Sequence, residues 1–217
     1  MATGRNTAEE LAHYLSEELN INQRDAATIR FGLELILGSI IKLSLITAVS
    51  LWLGITPYVL TALLTSSIFR LLSGGVHCHT YWRCVALGLG ATVLIGSLAP
   101  VIGARVDQFA LILSVAFAVL IGLYCVHKWA PADNPKKPIT NQEKRRKFRQ
   151  LSYLYVLTWG VALTLLIFFD YQVQISFPLA VASLGGFLTQ VFSLTPVGYR
   201  LVNTIDATLG RFLPFLP

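Results

Sequence analysis

The sequence predicts an all-α integral membrane protein with about six transmembrane helices and an amphipathic helix at the N-terminus. Of its 217 residues, 54% are hydrophobic and only 13% are charged, about half of the roughly 25% charged fraction of soluble domains. The mean hydropathy is +0.63, and the charges are grouped between long apolar stretches. Too few polar side chains remain to cover a soluble globule, which excludes an ordinary cytosolic enzyme, a disordered tail and a small secreted module.

The first predicted element is an amphipathic helix over residues 7–20. Thr7 and Glu10 have the T-x-x-E spacing of a capping box at a helix start. Because its polar face is acidic, which disfavours binding to anionic lipid, we expect this helix to pack on the protein rather than lie on the membrane. It belongs to a cytoplasmic segment, residues 1–30, that precedes a single membrane domain over residues 31–217.

The first two apolar segments are the least regular. Residues 31–53 predict one helix, with Glu34 near one end and Lys42 near its middle, that ends at the Gly-Ile-Thr-Pro turn. The second segment, residues 58–72, is short compared with the roughly 20 residues that a span requires. We therefore expect it to be either a tilted span or a re-entrant element.

Four further segments have the length and the uninterrupted apolar character of spanning helices. The fourth of them lies near residues 173–194, and the other three contain no charge between the residues that bound them: Arg83 and Arg105, Asp107 and Lys128, and Arg149 and Asp170. Unpaired backbone groups are not tolerated in lipid, so each segment is predicted to be α-helical.

The basic residues predict the orientation in the membrane. Among the 17 lysines and arginines, Lys42 lies within a predicted span and Arg105 lies in an outer connection, and the other fifteen lie on the opposite side. The positive-inside rule assigns that side to the cytoplasm. We therefore expect a multi-pass protein of the cell membrane with both termini, the loop 70–84 and the basic loop 128–150 in the cytoplasm. The net charge of +6 then reports orientation, not nucleic-acid binding.

The segment between Arg70 and Cys84 contains the candidate chemistry. Gly74 and Gly75 can adopt backbone angles that end the preceding helix. His77 and Cys84 are seven residues apart. Together they provide an imidazole base and a thiol nucleophile, the minimum set for cysteine catalysis.

The same loop has other interpretations. His77, Cys78, His79 and Cys84 could supply four ligands to zinc, although three of them are consecutive in the sequence and lack the usual gap between paired ligands. Cys78 is a competing nucleophile, but a cysteine next to a histidine in sequence seldom has good geometry for proton transfer. In the simplest interpretation these side chains only pack the loop against the helices.

Residues on both sides of this loop carry a family resemblance. Arg70, Gly75, His77 and Cys84, followed by an apolar helix, resemble the accessory gene regulator B family of bacterial membrane cysteine endopeptidases. The similarity extends upstream to Lys42 and the Arg-Phe-Gly-Leu-Glu motif at residues 30–34, and downstream to the proline-rich residues 130–138 and the basic run 144–149. It covers residues 25 to 150 in order, and Cys78 and His79 depart from the family pattern.

The resemblance implies that His77 is the base and Cys84 the nucleophile in the cleavage of a quorum-sensing propeptide. Cleavage on the C-terminal side of the signal is followed by closure to a thiolactone or lactone ring. The residues expected to bind the substrate are Arg70, Gly75, Lys42, Lys136 and Lys137. The expected partners are a propeptide of the accessory gene regulator D type, the lipid bilayer and a second copy in a homodimer, with no nucleic acid, metal or cofactor. The alternative is a small membrane transporter or a metal- or peptide-binding module that uses Glu34, Lys42 and the His77–Cys84 loop.

Overall fold

The computed structural model describes residues 23–132, 140–170 and 176–212, which contain seven α-helices and no β-strand. The helices are α1 (Gln23–Trp52), α2 (Thr56–Ser73), α3 (Tyr81–Gly103), α4 (Gln108–Trp129), α5 (Gln142–Phe169), α6 (Ser176–Leu194) and α7 (Pro196–Phe212). The all-α prediction is confirmed. The amphipathic helix predicted over residues 7–20 lies outside the described residues.

Four helices, α3 to α6, are long and apolar enough to cross a membrane. They coincide with the four uninterrupted segments of the sequence, and the protein has the character of a multi-pass membrane protein. The predicted count of six spans is not confirmed. Helix α1 has a shorter apolar stretch, Ile36–Trp52, and α2 has only 18 residues and starts at Thr56.

The described residues form two compact units. The first contains α1, whose apolar stretch exposes large side chains such as Leu51 and Trp52, as expected of a surface that faces lipid. Lys42 is half-buried near the middle of this stretch. The second unit contains α2 to α7.

Helix α6 is the centre of the second unit and packs against each of its other five helices. Within its apolar window 56% of the residues are buried, compared with 22–33% in the other three spans. Small residues make this close approach possible. A Cβ atom on Gly186 would overlap the Ala62 carbonyl, and one on Gly185 would lie 2.8 Å from the Ile95 side chain.

Four aromatic rings form the core next to α6. Phe187 stacks on Trp159 with ring centroids 3.9 Å apart, and Phe69 stacks between Phe187 and Tyr155 at 5.2 Å from each. Phe69 and Phe187 are fully buried. The Trp159 indole N–H donates to Ser183 Oγ at 3.0 Å, so the polar atom of the ring is satisfied inside the apolar layer.

Three chain connections of the second unit meet at one end, which we call the loop end. The Ala132 N–H donates to the Ser73 carbonyl at 2.8 Å, and the Val76 N–H donates to the Ser193 carbonyl at 3.2 Å. The first bond joins the end of α2 to the segment that follows α4, and the second joins the α2–α3 connection to the last turn of α6. At the opposite end, Gln108 Nε2 donates to the Ile167 carbonyl at 3.2 Å.

The basic run 144–149 belongs to helix α5 and not to a loop as expected. Asn141 caps this helix, because its side-chain oxygen accepts from the Glu143 and Lys144 N–H groups at 2.8 and 3.2 Å. Arg149 Nε donates to the Ala130 carbonyl at 2.9 Å. The cap starts the helix early, so the basic side chains project from the first turns of α5 at the loop end.

Candidate active site

A glycine loop, residues 74–80, connects α2 to α3 at the loop end. Gly74 caps α2 with a φ of 71°, and its N–H donates to the Arg70 carbonyl at 2.9 Å. Gly75 has a φ of 144°, and a Cβ atom on it would lie 2.6 Å from Ser193 Oγ. Both positions therefore require glycine, and α2 ends where the sequence predicted it.

Gln190 of α6 holds the start of the glycine loop. Its Nε2 donates to the Gly74 carbonyl at 2.7 Å and to Ser73 Oγ at 3.1 Å, and only 2% of the residue is exposed. Sequence reasoning did not select Gln190. The available signal was an amide side chain within an otherwise apolar span, which must find hydrogen-bond partners inside the protein.

Arg70 lies in the last turn of α2 and points to the loop. Its guanidinium donates to the Val76 carbonyl and, at 3.4 Å, to Gln190 Oε1. It also interacts electrostatically with the thiols of Cys84 and Cys78. Arg70 therefore both supports the loop backbone and places a positive charge next to two cysteines, which favours a thiolate there.

Cys84 lies in the first turn of α3, where the positive end of the helix macrodipole favours an anion. It is half-buried and its N–H donates to the Thr80 carbonyl at 3.2 Å. Cys78 makes a side-chain hydrogen bond with Cys84, and this bond together with burial raises the pKa of Cys78 well above its ordinary value. The Cys78 thiol therefore holds its proton more tightly, and its S–H is a hydrogen-bond donor that would stabilise a negative charge on Cys84.

The two histidines of the loop have different surroundings. His77 is exposed, and no hydrogen bond joins its ring to another of the described residues. His79 is also exposed, but its Nδ1 lies 2.5 Å from Asp206 Oδ2. The structure therefore places His77 in the same loop as Cys78, seven residues before Cys84, with its imidazole open to an incoming molecule.

Asp206 of α7 is the second residue that sequence reasoning missed. It is 1% exposed and accepts from the backbone N–H of His79 at 3.2 Å. Its other oxygen lies 3.8 Å from Arg83 Nη1. An acidic residue among the apolar positions of an amphipathic helix was the available signal, because a carboxylate in such a place is normally paired.

Three predicted substrate-binding residues are not tested by the described cluster. Lys136 and Lys137 lie outside the described residues, and Lys42 belongs to the first unit. Their roles, and the substrate contacts expected of Arg70 and Gly75, stay predictions.

A zinc site is not supported by the described part of the chain. It contains no group of three or more His, Cys, Asp or Glu side chains placed to hold a metal ion. The contact between the Cys78 and Cys84 thiols brings together two of the four predicted ligands, while His79 turns to Asp206. The donor set therefore does not converge on one point.

Comparison with known proteins gives one family over most of the chain. The model of the family described as accessory gene regulator B matches residues 8–194. AgrB-like protein 2 of Clostridium perfringens (strain 13 / Type A) is 25% identical over 211 residues, 96% of this chain and 99% of that protein. Accessory gene regulator protein B of Staphylococcus aureus (strain bovine RF122 / ET3-1) is 25% identical over 159 residues, 73% and 81% of the two chains. An AgrB-like protein of Listeria innocua is 28% identical over 178 residues, 81% and 79% of the two chains. No solved structure gives a significant match.

Proposed function

The chain belongs to the accessory gene regulator B family, and from this premise we propose that it is a membrane cysteine endopeptidase of a quorum-sensing system. Its substrate is a propeptide of the accessory gene regulator D type, which it cuts on the C-terminal side of the signal. The observation that carries the proposal is the thiol pair at the loop end. Cys78 hydrogen-bonds to Cys84 and the Arg70 guanidinium acts on both sulfurs.

The proposed chemistry starts at Cys84. Its sulfur attacks a carbonyl carbon of the propeptide, the peptide C–N bond breaks, and a thioester to Cys84 forms. His77 takes up the thiol proton and returns it to the leaving amine, which departs with the C-terminal tail. The open imidazole of His77 in the loop before α3 is compatible with this proton transfer.

Ring closure follows as an exchange of acyl groups. A cysteine thiol or serine hydroxyl within the propeptide attacks the carbonyl carbon of the thioester, and the bond from this carbon to the Cys84 sulfur breaks. The proton of the attacking group passes to the Cys84 sulfur, which leaves as a free thiol. The product is a thiolactone or lactone. Exchange of one thioester for another is nearly balanced in energy, so a site that excludes water and holds the second nucleophile close avoids hydrolysis of the intermediate.

Charge and topology support the substrate and the location that we propose. Basic side chains at the loop end, including the run 144–149 at the start of α5, would attract an acidic propeptide tail, and Lys136, Lys137 and Lys42 are proposed to assist. We place this end and both termini in the cytoplasm of a bacterial cell, because the positive-inside rule assigns the basic side there. A homodimer is proposed from the family alone.

Co-expression with a propeptide of the accessory gene regulator D type tests the proposal. Mass spectrometry of the peptide products should show a cut peptide with the native chain and none with Cys84→Ala or His77→Ala. Cys125→Ala is the matched control, since Cys125 is a buried cysteine of the α4 core and its loss should leave cleavage intact. Cleavage that persists in Cys84→Ala contradicts the mechanism, and cleavage lost only in Cys78→Ala moves the nucleophile to Cys78.

A further inference from the structure

Helix α7 presents a buried carboxylate to the candidate site. The inward face of this helix contains Tyr199, Val202, Ile205 and Leu209, all partly buried, with Asp206 among them at 1% exposure. A carboxylate removed from water in this way destabilises the fold unless it is paired and hydrogen-bonded. Its partners therefore identify what this surface of α7 is built to hold.

All partners of Asp206 among the described residues lie at the junction between the glycine loop and α3. Oδ2 accepts from the backbone N–H of His79 at 3.2 Å and lies 2.5 Å from the His79 ring. Oδ1 lies 3.8 Å from Arg83 Nη1. The guanidinium of Arg83 also lies over Gly210, where a Cβ atom would be 2.8 Å from Nη1. Helix α7 thus supplies an anion for Arg83, the Asp206 carboxylate, and at Gly210 the space that the Arg83 side chain occupies.

These contacts lie next to the two residues of the proposed mechanism. His79 is two residues after His77, and Arg83 immediately precedes Cys84. A single carboxylate that binds both of them fixes the path of the chain between the base and the nucleophile.

We propose that Asp206 is a positioning residue for the peptide-cleaving reaction. It fastens α7 to the glycine loop and to the first turn of α3, and so holds His77 and Cys84 at the separation that proton transfer needs. The inference rests on the proposed function. The family match ends at residue 194, before α7 begins, so Asp206 lies in a part of the chain that the family model does not cover.

The same geometry admits a competing role for His79. An imidazole oriented by a buried carboxylate resembles the base of a catalytic triad, which would make His79 itself the proton acceptor. An asparagine at this position separates the two roles. Its side-chain N–H can donate to Asp206 as Nδ1 does, but it cannot accept a proton from a thiol.

The experiment measures kcat and KM for cleavage of a propeptide of the accessory gene regulator D type, using the full chain in lipid vesicles. In Asp206→Ala we expect kcat to fall roughly tenfold or more, because small misplacements of reacting groups have effects of this size, with KM within about twofold of the native value. Asp206→Asn should lose less, since the amide oxygen still accepts from the His79 N–H. It also serves as the test variant if Asp206→Ala does not accumulate in the membrane.

Two further measurements distinguish positioning from a general loss of structure. Hydrogen exchange of the peptide that spans residues 76–83 should become faster in Asp206→Ala, while peptides of α4 and α5 keep their native rates. His79→Asn should restore most of the activity that His79→Ala loses. The matched control is Thr208→Ala, on the exposed face of α7 two residues from Asp206, which should behave as the native chain.

Three outcomes overturn the inference. A native kcat in Asp206→Ala, with Cys84→Ala inactive, removes the role of Asp206 and leaves the proposed function standing. His79→Asn as inactive as His79→Ala would make His79 the base instead of a link to Asp206. Cleavage that persists in Cys84→Ala removes the proposed function and this inference with it.

Discussion

At the scale of single residues, the contact between the Cys78 and Cys84 thiols gives the two sulfurs different surroundings. The sequence offered two cysteines in one loop, and it favoured Cys84 through the family resemblance and because Cys78 is next to His77, which seldom gives good geometry for proton transfer. The hydrogen bond between the two thiols, together with partial burial, keeps the proton on Cys78. A neighbouring S–H donor and the Arg70 charge both stabilise an anion at Cys84.

This assignment predicts how Cys78 reacts in a Cys84→Ala variant. The hydrogen bond with Cys84 is the largest cause of the raised pKa of Cys78, so its removal lowers that pKa toward the ordinary value. At pH 8 the thiolate fraction of Cys78 then increases, and with it the rate of alkylation by iodoacetamide, about tenfold for each unit by which the pKa falls. Mass spectrometry of the cysteine-containing peptides measures the rate at each site.

The same experiment contains its controls. Cys84→Ser keeps a hydrogen-bond acceptor and should accelerate the reaction of Cys78 less than Cys84→Ala does. Cys125 is 3% exposed in the α4 core and should react slowly in all variants. Equal rates for Cys78 in the native chain and in Cys84→Ala would show that the two thiols do not share a proton in this way.

At the scale of helices, α6 combines a structural and a site role. Its glycines allow close contact with α2 and α3, and one turn before its C-terminus Gln190 reaches over to the glycine loop. The conformation of the loop therefore depends on a helix that is more than a hundred residues away in the sequence. Such long-range support explains how a segment with two consecutive glycines has one defined conformation.

Removal of the Gln190 amide should loosen the loop without breaking the helix. In Gln190→Leu the Gly74 carbonyl loses its closer donor and keeps only Ser73 Oγ at 3.3 Å, which destabilises the protein by about 1–3 kcal/mol. We expect a thermal midpoint in detergent that is lower by about 2–10 °C and a clear decrease in cleavage. Thr189→Val is the matched control, because Thr189 is exposed and its hydroxyl bonds only to the Gly185 carbonyl of its own helix. Equal midpoints and cleavage in the two variants would contradict a supporting role for Gln190.

At the scale of the whole molecule, the basic side chains and the candidate active site lie at the same end of the second unit. The α2–α3, α4–α5 and α6–α7 connections meet at the loop end, and Arg70, Arg83, Lys128 and the run 144–149 are found there. Large apolar side chains are exposed along the four spans, where Phe109, Phe117, Leu120 and Phe169 are each more than 60% exposed, and also on α1 and α2. A surface of this kind is stable in lipid and not in water.

Labelling with a membrane-impermeant maleimide tests the orientation that we propose. In a variant with alanine at the three native cysteine positions, Ala104→Cys places a thiol at the end opposite the loop, and Gln142→Cys places one at the start of α5. Both positions are exposed, and neither substitution changes a charge. We expect Ala104→Cys to react in intact cells and Gln142→Cys to react only after permeabilisation. The reverse pattern would place the candidate site outside the cell.

The sequence by itself determined the all-α membrane character, the four full-length spans, the helix end at Gly74 and the selection of His77 and Cys84 as candidates. Each of these depends on local information, namely apolar length, the position of charges, glycine backbone freedom and the spacing of residues along one short segment. The predicted count of six spans is not confirmed. Lys42 lies within the apolar stretch of α1 and α2 has only 18 residues, so the sequence alone does not assign these two helices as spans.

Only the tertiary structure decided how the candidate loop is held and that the Cys78 and Cys84 thiols are in contact. Gln190 and Asp206 reach the loop from α6 and α7, and the Cys78–Cys84 contact depends on how the loop folds back on α3. A buried amide or carboxylate can be recognised in a sequence as a group that needs a partner. Which partner it finds depends on how helices far apart in the chain pack, and residue spacing carries no information about that.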